Sequence, residues 1–293
     1  MLRNFFSKND LKVLIHYPKQ GTRFPADPDV LTNAAWNSLV APRYNNLKNY
    51  KTKDSLFSNN KEGKYIHLAD ADLYYETYGS GQPLLLLHGN SASISSFYAQ
   101  IPELAKHYRV IALDTRGQGK STDASTVPLS YDKFAQDAKQ LLDSLHIDKA
   151  SIVGWSDGGN TGLILAAKYP SYVNKLVTMG AVTSPAGVDP ALMNRFKESL
   201  KKTNQTSGHE LSISTRLLTL LVDEPHITTT ELENIQAPVL VIAGEKDVVK
   251  FEQTKLIAGH IKNSKLLIIK EATHYAPQEK PEQFNRLVLE FLK

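Results

Sequence analysis

The sequence contains no cysteine, which removes disulfide cross-links, thiolate metal sites and a cysteine nucleophile together. It also lacks any unbroken apolar run near the ~18 residues that a membrane-crossing helix needs. Its apolar runs, such as Leu84–Leu87 and Val239–Ala243, are strand-length, and this excludes integral membrane association. A strong charge of one sign is missing as well: 34 Lys and Arg stand against 30 Asp and Glu, a net charge of +4. So small a bias argues against a nucleic-acid partner. Residues 1–14 interleave Arg3, Lys8, Asp10 and Lys12 with apolar side chains, which leaves no secretory h-region and predicts a cytoplasmic chain. Internal repeats and low-complexity tracts are absent too.

What is present suits a soluble globular fold: 293 residues, 41% hydrophobic and 22% charged, enough for one large domain or two small ones. The charge is unevenly placed. Residues 1–62 hold ten Lys or Arg and five Asp or Glu and show little periodicity, so they read as an N-terminal arm or peripheral segment whose positive charge suits docking on an acidic partner or an anionic surface. From Lys64 the punctuation becomes regular. Two alternating segments, Tyr65 to Leu68 and Leu73 to Tyr78, meet across Ala69-Asp70-Ala71 as a hairpin. Six short apolar runs follow: Leu84–Leu87, Val110–Leu113, Ser151–Gly154, Leu176–Met179, Val239–Ala243 and Leu266–Ile269. Continuous runs of this length fit strands buried on both faces. Helical spacing lies between them, clearest at Phe134, Ala138, Leu141, Leu142 and Leu145. Alternation of strand and helix predicts an α/β fold with a mostly parallel sheet. Residues 183–236 interrupt it as a helical cap, with stripes at Leu192, Phe196 and Leu200 and at Leu217, Leu218 and Leu221, so residues 63–182 and 237–293 form the core.

The chemistry begins at Gly154-Trp155-Ser156-Asp157-Gly158-Gly159, between a strand-like run and the helix-like Asn160 to Ala167. A serine on such a tight strand-to-helix turn is lifted clear of the sheet. Its hydroxyl needs a base, and the base needs a carboxylate to fix its tautomer. Asp247 follows the run Val239–Ala243, and His274 follows Leu266–Ile269. Of nine histidines, His274 alone has this placement downstream of Ser156. Acyl transfer also requires donors for the oxygen that becomes negative. The backbone N–H of Asp157 supplies one, and that of Asn90, after Leu84–Leu87, a second, with the Asn90 amide as an extra donor. His88 reads as a prop for that loop. The segment Asp114 to Ser121 lacks both phosphate-loop spacings and reads as a structural turn.

Together His88-Gly89, Asp114 to Ser121, Gly154 to Gly159, Gly244 to Asp247 and His274 resemble the α/β-hydrolase fold family over residues 63–293, with Ser, Asp and His in that family's chain order. The stretch from Gly154 to Ser171 is similar to biphenyl-hydrolase-like, or valacyclovirase-like, esterases. The resemblance implies an eight-stranded, mostly parallel sheet, a cap between the sixth and seventh strands, a Ser156–His274–Asp247 triad, and no metal or organic cofactor. It further suggests that the Asp157 side chain faces an incoming α-ammonium group, where the plainer reading is an acid favoured by the helix dipole. Met193, Phe196 and Leu218, with the other stripe residues, are candidates for an acyl pocket, where packing of the cap onto the core is the plainer reading. The expected activity is cleavage of a small carboxylic ester, with amide or peptide cleavage, carbon–carbon bond hydrolysis and perhydrolysis sharing the same triad. A non-catalytic ligand receptor is the alternative outside enzymes.

Overall fold

The computed structural model describes residues 63–206 and 212–293. The N-terminal arm expected over residues 1–62 lies outside the described residues.

Strands β1 (Lys64–His67) and β2 (Asp72–Tyr78) form the predicted antiparallel hairpin, with Tyr65 opposite Tyr74. The six apolar runs become β3 (Pro83–Leu87), β4 (Arg109–Leu113), β5 (Ala150–Trp155), β6 (Val173–Met179), β7 (Val239–Gly244) and β8 (Ser264–Ile269). They assemble in the order β1-β2-β4-β3-β5-β6-β7-β8, parallel from β4 onward. Leu84 to Leu87 of β3 are completely buried because both faces of the sheet are covered, and each such leucine contributes roughly 2 kcal/mol relative to exposure.

One face packs against α1 (Tyr131–Ser144), α2 (Asp157–Lys168) and α5 (Phe251–His260), the other against α6 (Pro281–Leu292) and the segment around Phe97 and Ile101. Ser130 caps α1, its hydroxyl accepting from the Lys133 N–H at 3.2 Å. The four-residue spacing of Phe134, Ala138 and Leu142 buries that face. Between β6 and β7 run α3 (Pro190–Thr206) and α4 (Ile213–Asp223), then a short helix, Thr229–Glu233, started by a Thr228–Glu231 capping box.

Because β3, β5, β7 and β8 run in one direction, the loops that leave their C-terminal ends emerge on one edge of the sheet, where α/β sheets place their ligands. Those loops carry Asn90, Ser156, Asp247 and His274. Among the described residues no helix is long and apolar enough to cross a membrane.

Candidate active site

Ser156 sits on the turn from β5 into α2 with φ +56° and ψ −118°. A non-glycine residue in the left-handed region is strained by about 1–3 kcal/mol and persists only where its surroundings fix it. Here the Ser156 N–H donates to the Met179 carbonyl at 2.7 Å, and the first turn of α2 lies against β3. A Cβ on Gly158 would come within 1.9 Å of the Leu87 carbonyl oxygen, so the glycine-rich sequence is what lets the helix start so close to the sheet.

The loop after β7 holds Asp247, 6% exposed, its Oδ1 accepting the Val249 N–H at 2.9 Å. The loop after β8 holds His274. Its Nδ1 lies 2.8 Å from Asp247 Oδ1 and its Nε2 2.8 Å from Ser156 Oγ. In the neutral ring, Nδ1–H donates to the carboxylate and Nε2 accepts the serine proton. The Trp155 indole N–H donates to the His274 carbonyl at 2.7 Å and orients the loop. At Gly180, φ +66°, a Cβ would fall 2.6 Å from His274 Cε1, so only glycine leaves room for the ring. Burial by itself would lower the His274 pKa. The charge and hydrogen bond of Asp247, with the charges of Asp157 and Glu279, outweigh it and hold the ring above its ordinary 6.5.

Neither the Asn90 nor the Asp157 backbone N–H has a hydrogen-bond partner among the described residues, and both border the cavity at Ser156. The Asn90 side chain differs from expectation. Its amide donates to Asp157 Oδ2 at 2.9 Å and to the Leu217 carbonyl of α4 at 3.1 Å, and its Oδ1 accepts from Ser91 Oγ at 2.8 Å. Both amide protons are committed, so it is not an extra oxyanion donor. It is a clamp between the turn, α2 and α4. His88 is buried, its Nδ1–H donating to Gly89 O at 2.7 Å and its Nε2 accepting from the Thr115 N–H at 3.0 Å. Burial lowers its pKa to about 4, and a neutral ring with both nitrogens bonded props the loop. Asp114 likewise serves its turn, accepting from the N–H groups of Ile94 at 2.7 Å and Lys120 at 2.8 Å.

Ser156 and His274 open into a cavity of about 250 Å³. Phe196 and Leu218 line it, together with Leu192 and Leu221. Met193 does not. Leu192 and Phe196, four residues apart, share the inward face of α3, and Met193, one step of about 100° further round, is buried in packing instead. Leu217 likewise packs in the core. Tyr131, Asn160 and Glu224 also border the cavity and carry no local sequence signal: Tyr131 merely opens an amphipathic helix.

Comparison with known proteins shows the family. A family model described as alpha/beta hydrolase fold matches residues 82–212. The chain is 32% identical over 242 residues to the serine hydrolase BPHL of Homo sapiens, covering 75% of this chain and 83% of that protein. This chain belongs to the α/β-hydrolase fold family. A 2-hydroxy-6-oxononadienedioate/2-hydroxy-6-oxononatrienedioate hydrolase of Paraburkholderia phymatum is 29% identical over 78% of this chain and 95% of its own length. Among solved structures, a bromoperoxidase from Bacillus anthracis superposes with a TM-score of 0.68 at 27% identity, over 79% of this chain and 99% of that one. The protein is an α/β-hydrolase related to biphenyl-hydrolase-like enzymes.

In this α/β-hydrolase the cavity wall mixes apolar side chains with neutral polar ones such as Asn90, Ser91, Asn160 and Ser214, and its acidic side chains among the described residues are Asp157 and Glu224. Asp157 is 3% exposed and accepts from Tyr131 OH at 2.7 Å as well as from Asn90. Burial raises its pKa to about 6 against those two hydrogen bonds and the charge of His274. Glu224 is half-buried. No lysine or arginine lines the cavity among the described residues, and no group of three or more His, Asp or Glu among them is placed to hold a metal ion.

Proposed function

We propose that this α/β-hydrolase cleaves small carboxylic esters through an acyl-enzyme, with α-aminoacyl esters as its favoured acyl class. The observation that carries the reading is the continuous chain from Asp247 through His274 to Ser156, 2.8 Å at each link, ending in a cavity whose buried Asp157 has no lysine or arginine partner among the described residues.

Ser156 Oγ attacks the ester carbonyl while His274 Nε2 takes its proton. Asp247 holds the ring in the Nδ1–H tautomer and stabilises the imidazolium that forms. The N–H groups of Asn90 and Asp157 receive the developing oxyanion, a contribution on the order of 3 kcal/mol per donor in such sites. His274 returns the proton to the leaving alcohol, and water then repeats the cycle on the acyl-enzyme. The helices within residues 183–236 act as the cap that excludes bulk water and shapes the acyl pocket through Leu192, Phe196 and Leu218. Asp157 serves twice, its backbone as an oxyanion donor and its carboxylate as the seat of the α-ammonium. BPHL is named a serine hydrolase, which supports the nucleophile. The dicarboxylate named for the Paraburkholderia enzyme suits this cavity poorly, because two acidic walls without a lysine or arginine repel an anion.

Incubation with a fluorophosphonate, followed by intact mass and peptide mapping, is expected to give one adduct, on Ser156. Ser156→Ala is expected to abolish both the adduct and ester turnover. Labelling at another residue, or undiminished turnover by the variant, overturns the assignment.

A further inference from the structure

The second carboxylate of the cavity has no part in the mechanism above. Glu224 caps the C-terminus of α4, its backbone N–H donating to the Leu220 carbonyl at 2.9 Å. Its side chain has neither a hydrogen bond nor an ion pair among the described residues, although it is half-buried in the cavity wall. Desolvation raises its carboxyl above the ordinary value. His226 and Lys168 lower it from a distance, and Asp132 and Asp223 add to the rise. Neither cation reaches the cavity: Lys168 is held by Asp132 at 2.5 Å and Glu231 at 3.9 Å, and His226 is exposed.

Its position along the cavity decides which part of a substrate it meets. The Tyr131 hydroxyl donates to Asp157 at 2.7 Å and also feels the charge of Glu224. Leu218, Leu221 and Glu224 recur every three residues at the end of α4 and all border the cavity, and Asn90, which donates to Asp157, also donates to the Leu217 carbonyl of that helix, so this row begins beside Asp157 and ends at Glu224. The leaving alcohol departs past His274, whose ring packs against Trp155 and Tyr275, both uncharged and both in the cavity wall. An acyl side chain that runs along Leu218 and Leu221 toward Glu224 crosses apolar surface and ends at a carboxylate. A methylene chain with a terminal cation complements both.

We propose that Glu224 determines specificity by receiving a cation at the end of the acyl side chain, so that esters of basic α-amino acids, such as lysyl or ornithyl esters, are the preferred substrates. This rests on the reading that Asp157 receives the α-ammonium of an ester hydrolysed at Ser156.

The test compares kcat/KM for the methyl esters of L-lysine and L-norleucine, which share a carbon skeleton and differ in the terminal ammonium. Wild type is expected to favour the lysyl ester roughly tenfold, as a partly desolvated ion pair allows, and the preference is expected to shrink with added salt. Glu224→Gln is expected to bring the ratio close to one, and Glu224→Asp to restore part of it. A wild-type ratio at or below one, or an undiminished ratio in Glu224→Gln, overturns the proposal while leaving the ester reading intact. Failure of both esters to turn over, with no fluorophosphonate adduct on Ser156, overturns the ester reading and this inference with it.

Discussion

Two clusters of carboxylates meet α1, one at Asp137 and the other at Tyr131, and the protein treats them in opposite ways. In the first, Arg116, 1% exposed, meets Asp137 through Nε at 2.7 Å, Asp123 through Nη1 at 2.9 Å and Asp70 through Nη2 at 2.8 Å. Arg216 of α4 adds a contact to Asp123 at 2.7 Å, and Lys133 approaches Asp70 at 3.4 Å and Asp137 at 3.7 Å. Three cations face three carboxylates. In the second, Asp157 and Glu224 border one cavity, and among the described residues the only side chain in its wall able to become cationic is His274. The charges of the first cluster are paired within the chain, because an unpaired buried charge costs several kcal/mol. In the proposed reading, the carboxylates left without a cation beside the candidate nucleophile receive one from the ligand.

The sharpest way to break this contrast is to unpair the first cluster. Arg116→Met leaves Asp70, Asp123 and Asp137 without their shared guanidinium and is expected to destabilise the fold by about 3–5 kcal/mol, measured by urea unfolding. A loss below about 1 kcal/mol would mean that the pairing does not hold the fold together. The second cluster should respond with the opposite sign. The folded-state pKa of Asp157 is raised from 3.8 to about 6, so wild type loses stability as pH rises between those values. Asp157→Asn lacks that loss. The difference in Tm, variant minus wild type, is therefore expected to grow more positive from pH 4 to pH 7 in thermal melts. A difference that is flat or falling over that range would mean that Asp157 is already compensated within the protein.

The same contrast explains what the sequence disclosed. The strands were legible because a parallel sheet covered on both faces needs runs such as Leu84–Leu87 and Val239–Ala243. The elbow was legible because a helix that starts against β3 needs Gly158. The order of Ser156, Asp247 and His274 followed from their places beyond strand ends, and the structure brings those three side chains together. Partnerships across the fold were not legible. Asp70 and Asp137 lie 46 and 21 residues from Arg116, and no periodicity joins them, so Asp114 to Ser121 read as a turn without its ion pairs. The commitment of the Asn90 amide to Asp157 and Leu217 is equally non-local. Met193 was assigned to the cavity from its neighbours on α3, where rotation by a single residue decides the facing. Glu224, at a helix end next to Pro225, looks like a surface acid until the fold closes over it.

The central claim is that Asp157 is an unpaired charge waiting for a substrate cation. It is tested most directly by the ratio of kcat/KM for a valyl ester to that for the matched isovaleryl ester, followed with pH in wild type and in Asp157→Asn. The ratio cancels the titration of His274, which both esters share. The expected result is a wild-type ratio of about 30 or more near pH 7, falling at higher pH as the α-ammonium loses its proton and at lower pH as Asp157 takes one up through about pH 6, and a ratio near one in the variant. A wild-type ratio near one, or the same ratio and the same pH course in Asp157→Asn, would contradict it.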